Sequence, residues 1–204
     1  MAKIELELFY FVMEIEKTQK EQLEKYVDFL LKYNEKINLI GKSTIDDIWN
    51  RHIIDSLQVI KLIENKNVKL ADLGSGAGLP GIVLSIAGIK EVHLFEKSPR
   101  KCEFLEQAKQ FSKNKIVVHN VDIATFKDNS FNIITSRALG SLDLLLKFSQ
   151  NLKNNDTKCI FLKGKKVFEE LEEAKKYWKI QYNLIDSLTS SEGKIVEIKA
   201  FSKA

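Results

Sequence analysis

A chain of 204 residues can form one α/β domain with a small appendage, whereas two domains of ordinary size would be crowded. Its 44% hydrophobic and 29% charged residues are typical of a folded globular protein and exclude a largely disordered one. The net charge of +4 is modest, but residues 68–204 carry 22 basic and 16 acidic side chains, which favours a polyanionic partner. No apolar run is long enough to span a bilayer, and acidic residues near the start differ from a signal peptide, so we expect no membrane association and a cytoplasmic location.

Cysteine and arginine are both rare in this chain. Cys102 and Cys159 lie far apart and lack the Cys/His spacing of a zinc site, so we expect reduced structural thiols and no bound metal. Of the 32 basic residues, only Arg51, Arg100 and Arg137 are arginine. These positions are candidates for contacts that need the planar guanidinium fork, which lysine lacks. The alternative is a lysine-rich composition with three incidental arginines.

The pattern over residues 1–66 predicts helices. Apolar residues recur at three- and four-residue spacing in one amphipathic helix, at Leu23, Tyr26, Val27, Leu30 and Leu31. Residues 43–47 resemble a capping box and predict a second helix that carries Arg51 and His52. Because this region is short for independent folding, we predict that it is a helical cap on a domain formed by residues 67–204.

From residue 68 the pattern alternates between strand and helix, which predicts a parallel sheet covered by helices on both faces. The predicted strands are 68–73, 91–96, 116–121, 131–136, 158–163, 180–187 and 194–201. The predicted helices are near 79–88, 99–112, 141–152 and 166–178. A short turn joins the last two strands and permits an antiparallel hairpin. Five parallel strands with a terminal hairpin indicate the Rossmann-like, seven-stranded class I methyltransferase fold, rather than the six-stranded dinucleotide fold.

Four glycines follow the first strand within residues 74–81. Glycine permits backbone conformations closed to other residues and lets a ligand approach the main chain, so this loop predicts a cofactor site. Read from Gly76, the loop satisfies the G-x-G-x-x-G pattern of NAD sites. Because the strand ends at Leu73, the better frame starts at Gly74 and favours S-adenosylmethionine (SAM) over NAD. The cofactor-binding candidates in this frame are Asp72, Gly74, Ser75, Gly76 and Gly78.

Charged residues stand at the predicted ends of the other parallel strands, where open α/β sheets bind ligands. Glu96 ends the second strand and is predicted to bind the ribose hydroxyls of the cofactor. Asp122 follows the third, placed either for the adenine edge or as a helix cap. Arg137 and Lys163 end the fourth and fifth. Acids on the first three strand ends and bases on the next two predict methyl transfer from SAM to a nucleic acid. The alternative for each charged residue is an ion pair or a solvated surface.

Six short segments carry a resemblance to one family. They are Asn38-Leu39, Arg51-His52-Ile53-Ile54-Asp55-Ser56-Leu57, Asp72 to Gly81, Arg100-Lys101 with Phe104-Leu105, Ser136-Arg137-Ala138 and Lys163-Gly164. Over residues 23–166 the sequence resembles the GidB family of bacterial guanine-N7 methyltransferases of small-subunit ribosomal RNA. The segment 51–57 is absent from general methyltransferases, which makes the resemblance specific.

The resemblance implies SAM as the cofactor and one guanosine in the 530 loop of 16S ribosomal RNA as the target. The substrate is then either the RNA or the 30S subunit, and we expect the protein to be a monomer. The cofactor contacts that the family implies fall on Gly74, Leu79, Ile123, Ala124 and Arg137. Where the family usually has an acid this chain has Ala124, so only a backbone contact is expected there.

Methylation at guanine N7 requires no general base, because N7 already has a free lone pair and loses no proton. Proximity and orientation can therefore provide most of the rate enhancement. The predicted substrate-positioning residues are Arg51, His52, Arg137 and Lys163. The competing interpretations are a SAM-dependent methyltransferase of a small molecule, an NAD-dependent oxidoreductase and a non-catalytic SAM-binding protein.

Overall fold

The structure is a computed structural model that describes Tyr10 and residues 13–204, so the remaining residues of the predicted cap lie outside the described part. It contains a seven-stranded sheet in the order β3-β2-β1-β4-β5-β7-β6. The strands are β1 (Lys69–Leu73), β2 (Glu91–Glu96), β3 (Lys115–Asn120), β4 (Phe131–Arg137), β5 (Lys153–Lys163), β6 (Trp178–Asp186) and β7 (Lys194–Lys203).

The pairing of the strands confirms the predicted class. Strands β1 to β5 are parallel, and β7 is antiparallel to both β5 and β6. The strand order reverses at β1, which lies between β2 and β4, so the ends of these strands form a crevice. Strand β5 begins five residues earlier than the prediction of 158, because Lys153 already pairs with Phe131 before a register shift. Residues 153–157 are polar, so the hydrophobic pattern does not predict this part of the strand.

Helices cover both faces of the sheet, and none in the described part of the chain has the length and apolarity of a membrane span. They are α1 (Lys17–Asn34), α2 (Asp55–Leu57), α3 (Gly81–Ile86), α4 (Pro99–Ala108), α5 (Leu142–Gln150) and α6 (Val167–Lys175). Helices α1, α3 and α4 contribute to one hydrophobic cluster, while α5 and α6 contribute to a second. The first cluster contains residues from both sides of residue 66, and the predicted boundary between cap and domain stays a prediction.

The amphipathic helix predicted near the start is confirmed as α1. Its buried residues include Leu23, Tyr26 and Leu30, which follow the predicted spacing. The helix ends at Asn34, whose Oδ1 accepts hydrogen bonds from the backbone N–H groups of Leu39 and Ile40. The asparagine that ends the helix therefore also shapes the following loop.

The predicted start of the second helix at residues 43–47 is wrong. Residues Lys42–Thr44 form a separate 3-10 turn, and the next helical residues are a π-helical turn, Trp49–Ile54. The Thr44 hydroxyl donates to the carbonyl of Gly41 at 2.7 Å instead of capping a helix. The π-helical turn continues through α2 into a 3-10 turn, Gln58–Leu62. We call residues 49–62 the π segment, because π-helical turns are rare and are found frequently at functional sites.

Candidate active site

The glycine loop leaves β1 in conformations that favour glycine. The φ angles are +67° at Gly74, +55° at Gly76 and +81° at Gly78. A Cβ added to Gly76 meets nothing closer than the carbonyl oxygen of Gly74 at 3.8 Å, so open space lies against the backbone there. This space allows a ligand to press against the main chain, as the sequence predicts.

Asp72 supports the loop from inside the protein. Its side chain is fully buried, and Oδ2 accepts the backbone N–H of Gly81 at 3.2 Å. The Ser75 hydroxyl donates to the backbone carbonyl of Asp72 at 2.9 Å. Burial raises the pKa of Asp72 to about 6, although hydrogen bonds to Ser75 and Gly81 act in the opposite direction. The observed contacts of Asp72 and Ser75 are therefore with the protein, and their contacts with the cofactor stay predictions.

Glu96 lies directly beside the glycine loop. Its Oε2 accepts the backbone N–H of Gly76 at 3.0 Å, and its Oε1 accepts that of Ser98 at 2.8 Å. The residue is only 8% exposed, which differs from the alternative of a solvated ion pair. A carboxylate next to an open glycine loop has the acceptors that the hydroxyls of a nucleoside need. This arrangement fits SAM, whose ribose Glu96 is predicted to hold.

The residues that follow β3 form a capped 3-10 turn and include predicted cofactor contacts. Asp122 Oδ1 accepts the backbone N–H of Ala124 at 3.0 Å, which confirms that Asp122 caps the short 3-10 turn Ile123–Thr125. Ile123 is buried and Ala124 is exposed. Leu79, in the glycine loop, is buried. The predicted contacts of these residues with the adenosine part of the cofactor stay predictions.

Arg137 connects the end of β4 to the π segment. Its Nη1 donates to the backbone carbonyl of Arg51 at 3.0 Å and to Asp55 Oδ2 at 3.4 Å, and its Nη2 lies 2.9 Å from His52 Nδ1. Three acceptors on one segment thus face a single guanidinium. This geometry agrees with the expectation that the position needs a planar fork, which a lysine ammonium cannot provide.

The hydrogen bonds of His52 assign its protonation state. Nδ1 accepts from Arg137, so the proton of the neutral ring is on Nε2, which lies 2.7 Å from the Thr44 hydroxyl. That hydroxyl donates to Gly41, so the three bonds have consistent directions. Burial, together with the charges of Arg137 and Arg51, lowers the pKa of His52 to about 4. His52 is therefore neutral near pH 7, and both ring nitrogens are occupied.

Asp55 joins the π segment to the loop between β6 and β7. Its Oδ1 accepts from Gln58 Nε2 and from the Thr189 hydroxyl, each at 2.9 Å. Gln58 Oε1 accepts the backbone N–H of Leu188 at 2.9 Å. Together with Arg137, these contacts occupy both carboxylate oxygens of Asp55. The network therefore fixes one wall of the site.

Lys163 is held by the protein at the end of β5. Its Nζ donates to the carbonyl of Gly140 at 2.6 Å and pairs with Glu170 Oε2 at 2.6 Å, and its side chain is 7% exposed. Glu170 Oε2 also accepts the backbone N–H of Leu142. Through these contacts Lys163 fixes the turn after β4. Its contact with RNA stays a prediction. Arg51 differs, because its side chain is exposed and has no hydrogen bond or ion pair within the described residues.

A pocket of about 510 Å³ lies between the ends of β4 and β5, the π segment and the loop between β6 and β7. The predicted substrate residues meet there, since the lining includes Arg51, His52, Arg137 and Lys163. Leu139 also lines the pocket, and a Cβ added to Gly74 would lie 2.5 Å from its side chain. The pocket therefore adjoins the glycine loop.

Several pocket residues were not predicted as part of the site. They include Thr44, Asp55, Gln58, Glu170 and Thr189. Asp55 has a local signal, because it lies three and four residues after His52 and Arg51 in a helical pattern. Glu170 and Thr189 have none, since α6 and the loop between β6 and β7 reach the pocket only through the order of the strands.

His93 and the two cysteines are buried, and His119 is half-buried. His93 Nδ1 lies 2.8 Å from His119 Nε2, and the two rings are stacked across β2 and β3. Burial lowers the pKa of both, so this pair is neutral near pH 7. Cys102 and Cys159 are free and buried. These residues lie away from the pocket lining.

Solved structures similar to this chain share its fold. Magnesium protoporphyrin IX methyltransferase from Synechocystis, with bound SAM, aligns with a TM-score of 0.59 and 14% identity, covering 83% of this chain and 91% of that one. A putative SAM-dependent methyltransferase from Methanococcus maripaludis aligns with a TM-score of 0.55 and 16% identity, covering 77% and 90%. At these identities the likeness confirms the class I methyltransferase fold alone.

Sequence relatives are much closer. The ribosomal RNA small subunit methyltransferase G of Rickettsia massiliae is 42% identical over 192 residues, covering 94% of this chain and 98% of the relative. The protein of the same description from Rickettsia prowazekii is 41% identical over 191 residues, covering 94% and 99%. The sequence profile of the GidB family, described as rRNA small subunit methyltransferase G, matches residues 19–198. The chain therefore belongs to the GidB family.

Proposed function

We propose that this chain transfers a methyl group from SAM to N7 of a guanosine in the 530 loop of 16S ribosomal RNA. Membership of the family makes it a SAM-dependent ribosomal RNA methyltransferase and removes NAD as the cofactor. The guanine, the atom N7 and the 530 loop belong to the proposal. So do the 30S subunit or its RNA as the substrate, the monomeric state and a cytoplasmic location.

The observation that carries the proposal is the pocket that adjoins the glycine loop. Its volume of about 510 Å³ is in the range of small-molecule sites, which is enough for one nucleotide turned out of an RNA loop. Leu139 borders both the pocket and Gly74, so a base in the pocket lies next to the predicted position of the cofactor. Arg51 is exposed at the pocket without a partner in the described residues, and it can bind a phosphate of the RNA.

Two side chains of the pocket, His52 and Asp55, agree with an acceptor that loses no proton. His52 is neutral with both nitrogens occupied, and both oxygens of Asp55 are occupied. Neither group is therefore free to remove a proton, and methylation of N7 requires none. When bound, SAM supplies an electrophilic methyl group. The residues of this chain then contribute by binding and orienting the base for in-line displacement.

Arg137 is the central positioning residue in this proposal. It is half-buried between β4 and the π segment, and it has contacts with Arg51, His52 and Asp55. It therefore fixes the segment that presents the exposed Arg51 side chain. The family also implies a contact between Arg137 and the cofactor. Through this contact, SAM binding would help to fix the position of the π segment.

The test is the map of N7-methylguanosine in 16S ribosomal RNA from cells with and without the protein. We expect one position in the 530 loop to lose the modification, and purified protein with labelled SAM to restore it on subunits from the deficient cells. Unchanged RNA, or methylation of a different atom, would contradict the proposal. A parallel assay with free guanosine and GTP separates this function from a small-molecule methyltransferase.

A further inference from the structure

Glu170 brings a partly unused carboxylate into the pocket. It lies on α6, lines the pocket and has a side chain that is 22% exposed. Its Oε2 forms an ion pair with Lys163 Nζ at 2.6 Å and accepts the backbone N–H of Leu142 at 2.8 Å. Its Oε1 has no hydrogen-bond partner in the part of the chain that the structure describes. One strong acceptor in the pocket is therefore available to a ligand.

Lys163 places a donor beside this acceptor. Its Nζ donates to the carbonyl of Gly140 and lies 2.6 Å from Glu170 Oε2, and an ammonium group has three N–H donors. Lys163 can therefore donate to a ligand as well, which places one donor next to the acceptor Glu170 Oε1. Asp55 offers no such acceptor, because Gln58, Thr189 and Arg137 occupy its oxygens.

The pair is complementary to one edge of guanine. Guanine has donors at N1–H and at its 2-amino group, and an acceptor at O6 next to N1. Adenine reverses the pattern, with an acceptor at N1 and a donor at its 6-amino group. A free carboxylate oxygen beside an ammonium therefore favours guanine, and it binds the base by the edge opposite to N7.

We infer that Glu170 is the specificity-determining residue for guanine, with Oε1 accepting from N1–H and the 2-amino group while Lys163 donates to O6. This inference rests on the proposed function and names the group that selects its base. A base held in this way leaves N7 free. The carboxylate also becomes a better partner as the reaction proceeds, because methylation makes the ring cationic and strengthens its N–H donors. The contact therefore stabilises the transition state more than the ground state.

The test compares guanosine with inosine, which lacks only the 2-amino group, at the target position of small-subunit RNA. Wild-type protein should show a kcat/KM about 10 to 100 times higher for guanosine, the effect of one hydrogen bond to a charged acceptor. The variant Glu170→Gln keeps an oxygen for Leu142 and Lys163 but turns an N–H group towards the base. We expect its guanosine kcat to fall about 100-fold and its guanosine-to-inosine ratio to fall to about 1.

The matched control is Glu169→Gln, which removes the neighbouring exposed carboxylate of the same helix. It should keep the wild-type ratio and the wild-type unfolding temperature, whereas Glu170→Gln should lower the unfolding temperature because Lys163 loses its counter-charge. Both variants should keep the wild-type affinity for SAM. A Glu170→Gln variant that retains the wild-type ratio would overturn the inference, even if its overall rate falls. If wild-type protein leaves N7 of the guanosine RNA unmodified, the proposed function itself fails, and the guanosine reaction alone reports this outcome.

Discussion

The two halves of the site are formed by different kinds of contact. In the half predicted to bind the cofactor (the cofactor half), at the ends of β1 to β3, the contacts involve the backbone and join nearby residues: Gly76 and Glu96 are 20 residues apart, and Asp72 and Gly81 are nine apart. In the half predicted to bind the substrate (the substrate half), at the ends of β4 and β5, side chains from distant segments meet. There the contact between Arg137 and Asp55 joins residues 82 apart.

This difference decides what each half tolerates. A site made of backbone groups depends on the absence of side-chain atoms, so an added methyl group is the change that harms it most. A site made of convergent side chains depends on the shape and the number of donors of each group. We therefore expect steric changes to have the largest effects in the cofactor half and isosteric or charge-conserving changes to be harmful mainly in the substrate half.

Gly81→Ala gives the largest expected effect. The added Cβ would lie 2.4 Å from Leu94 Cδ2 and 2.8 Å from Asp72 Oδ2, both in the closed interior below the loop. We expect the free energy of unfolding to fall by about 3 kcal/mol, the cost of overpacking a dense core. Denaturant unfolding measures the change, and the affinity for SAM should fall in the same variant.

Gly164→Ala is the matched control at the end of β5. A Cβ there meets nothing within 4 Å, so the free energy of unfolding should stay within about 0.5 kcal/mol of wild type. If both substitutions lower the free energy of unfolding equally, the crowding around Gly81 is not the cause of the destabilisation.

Arg137→Lys tests the substrate half with its charge conserved. The ammonium cannot reach the three acceptors that Arg51, His52 and Asp55 present, so the π segment loses its fixed position. We expect kcat/KM for ribosomal RNA to fall about 100-fold, the effect of misplacing a reacting group by about 1 Å. Steady-state methylation of small subunits measures it.

Arg100→Lys makes the same exchange on the exposed surface of α4. The Arg100 guanidinium has no hydrogen bond within the described residues, so we expect less than a threefold change in kcat/KM. If Arg137→Lys is as active as Arg100→Lys, the planar fork has no role in positioning. The substrate half then depends less on side-chain geometry than its contacts indicate.

The sequence predicts the fold and the frame of the glycine loop well because both depend on local patterns. The alternation of apolar and polar residues gave all seven strands, and the strand end at Leu73 gave the frame of the glycine loop. The helix that carries Arg51 and His52 was predicted, but its π-helical turn was not. Its hydrogen bond from Asp55 to the carbonyl of Asn50 spans five residues, and hydrophobic periodicity does not distinguish this from the usual four.

The substrate half is only partly predictable because side chains are brought together by the fold. Arg137 and Lys163 could be found, since each ends a parallel strand next to the glycine loop. Thr189 could not, because its contact with Asp55 joins residues 134 apart through the terminal hairpin. Glu170 lies among several acids on α6, and only the position of Lys163 distinguishes it from them.

The two halves should also respond to pH with opposite signs. Asp72 has a pKa of about 6 in the folded protein against an ordinary value of 3.8, so the folded state binds the proton first as the pH falls. Its contribution to stability therefore increases between pH 6 and 4. We expect the free energy of unfolding of wild type, relative to Asp72→Asn, to rise by up to about 3 kcal/mol over this interval.

His52 has the reverse effect, because its pKa is about 4 in the folded protein against an ordinary value of 6.5. The unfolded state binds the proton first, so stability from this residue is lost as the pH falls from 6.5 to 4. Relative to His52→Gln, the free energy of unfolding of wild type should fall over this interval. Denaturant unfolding of the three proteins at several pH values measures both effects, and equal signs would contradict the assigned protonation states.

The smallest expected effect tests the connection between α1 and the cofactor half. The hydroxyl of Tyr26 is buried and donates to the backbone carbonyl of Ala77 in the glycine loop. Tyr26→Phe leaves this carbonyl without its donor, which should lower the free energy of unfolding by about 1 kcal/mol and weaken SAM binding several-fold. Tyr33→Phe is the control on the same helix, because its hydroxyl has only long contacts, to Glu103 at 3.4 Å and to Gln107 at 3.3 Å. If both variants bind SAM equally well, α1 stabilises the domain by packing alone and does not order the loop that is predicted to hold the cofactor.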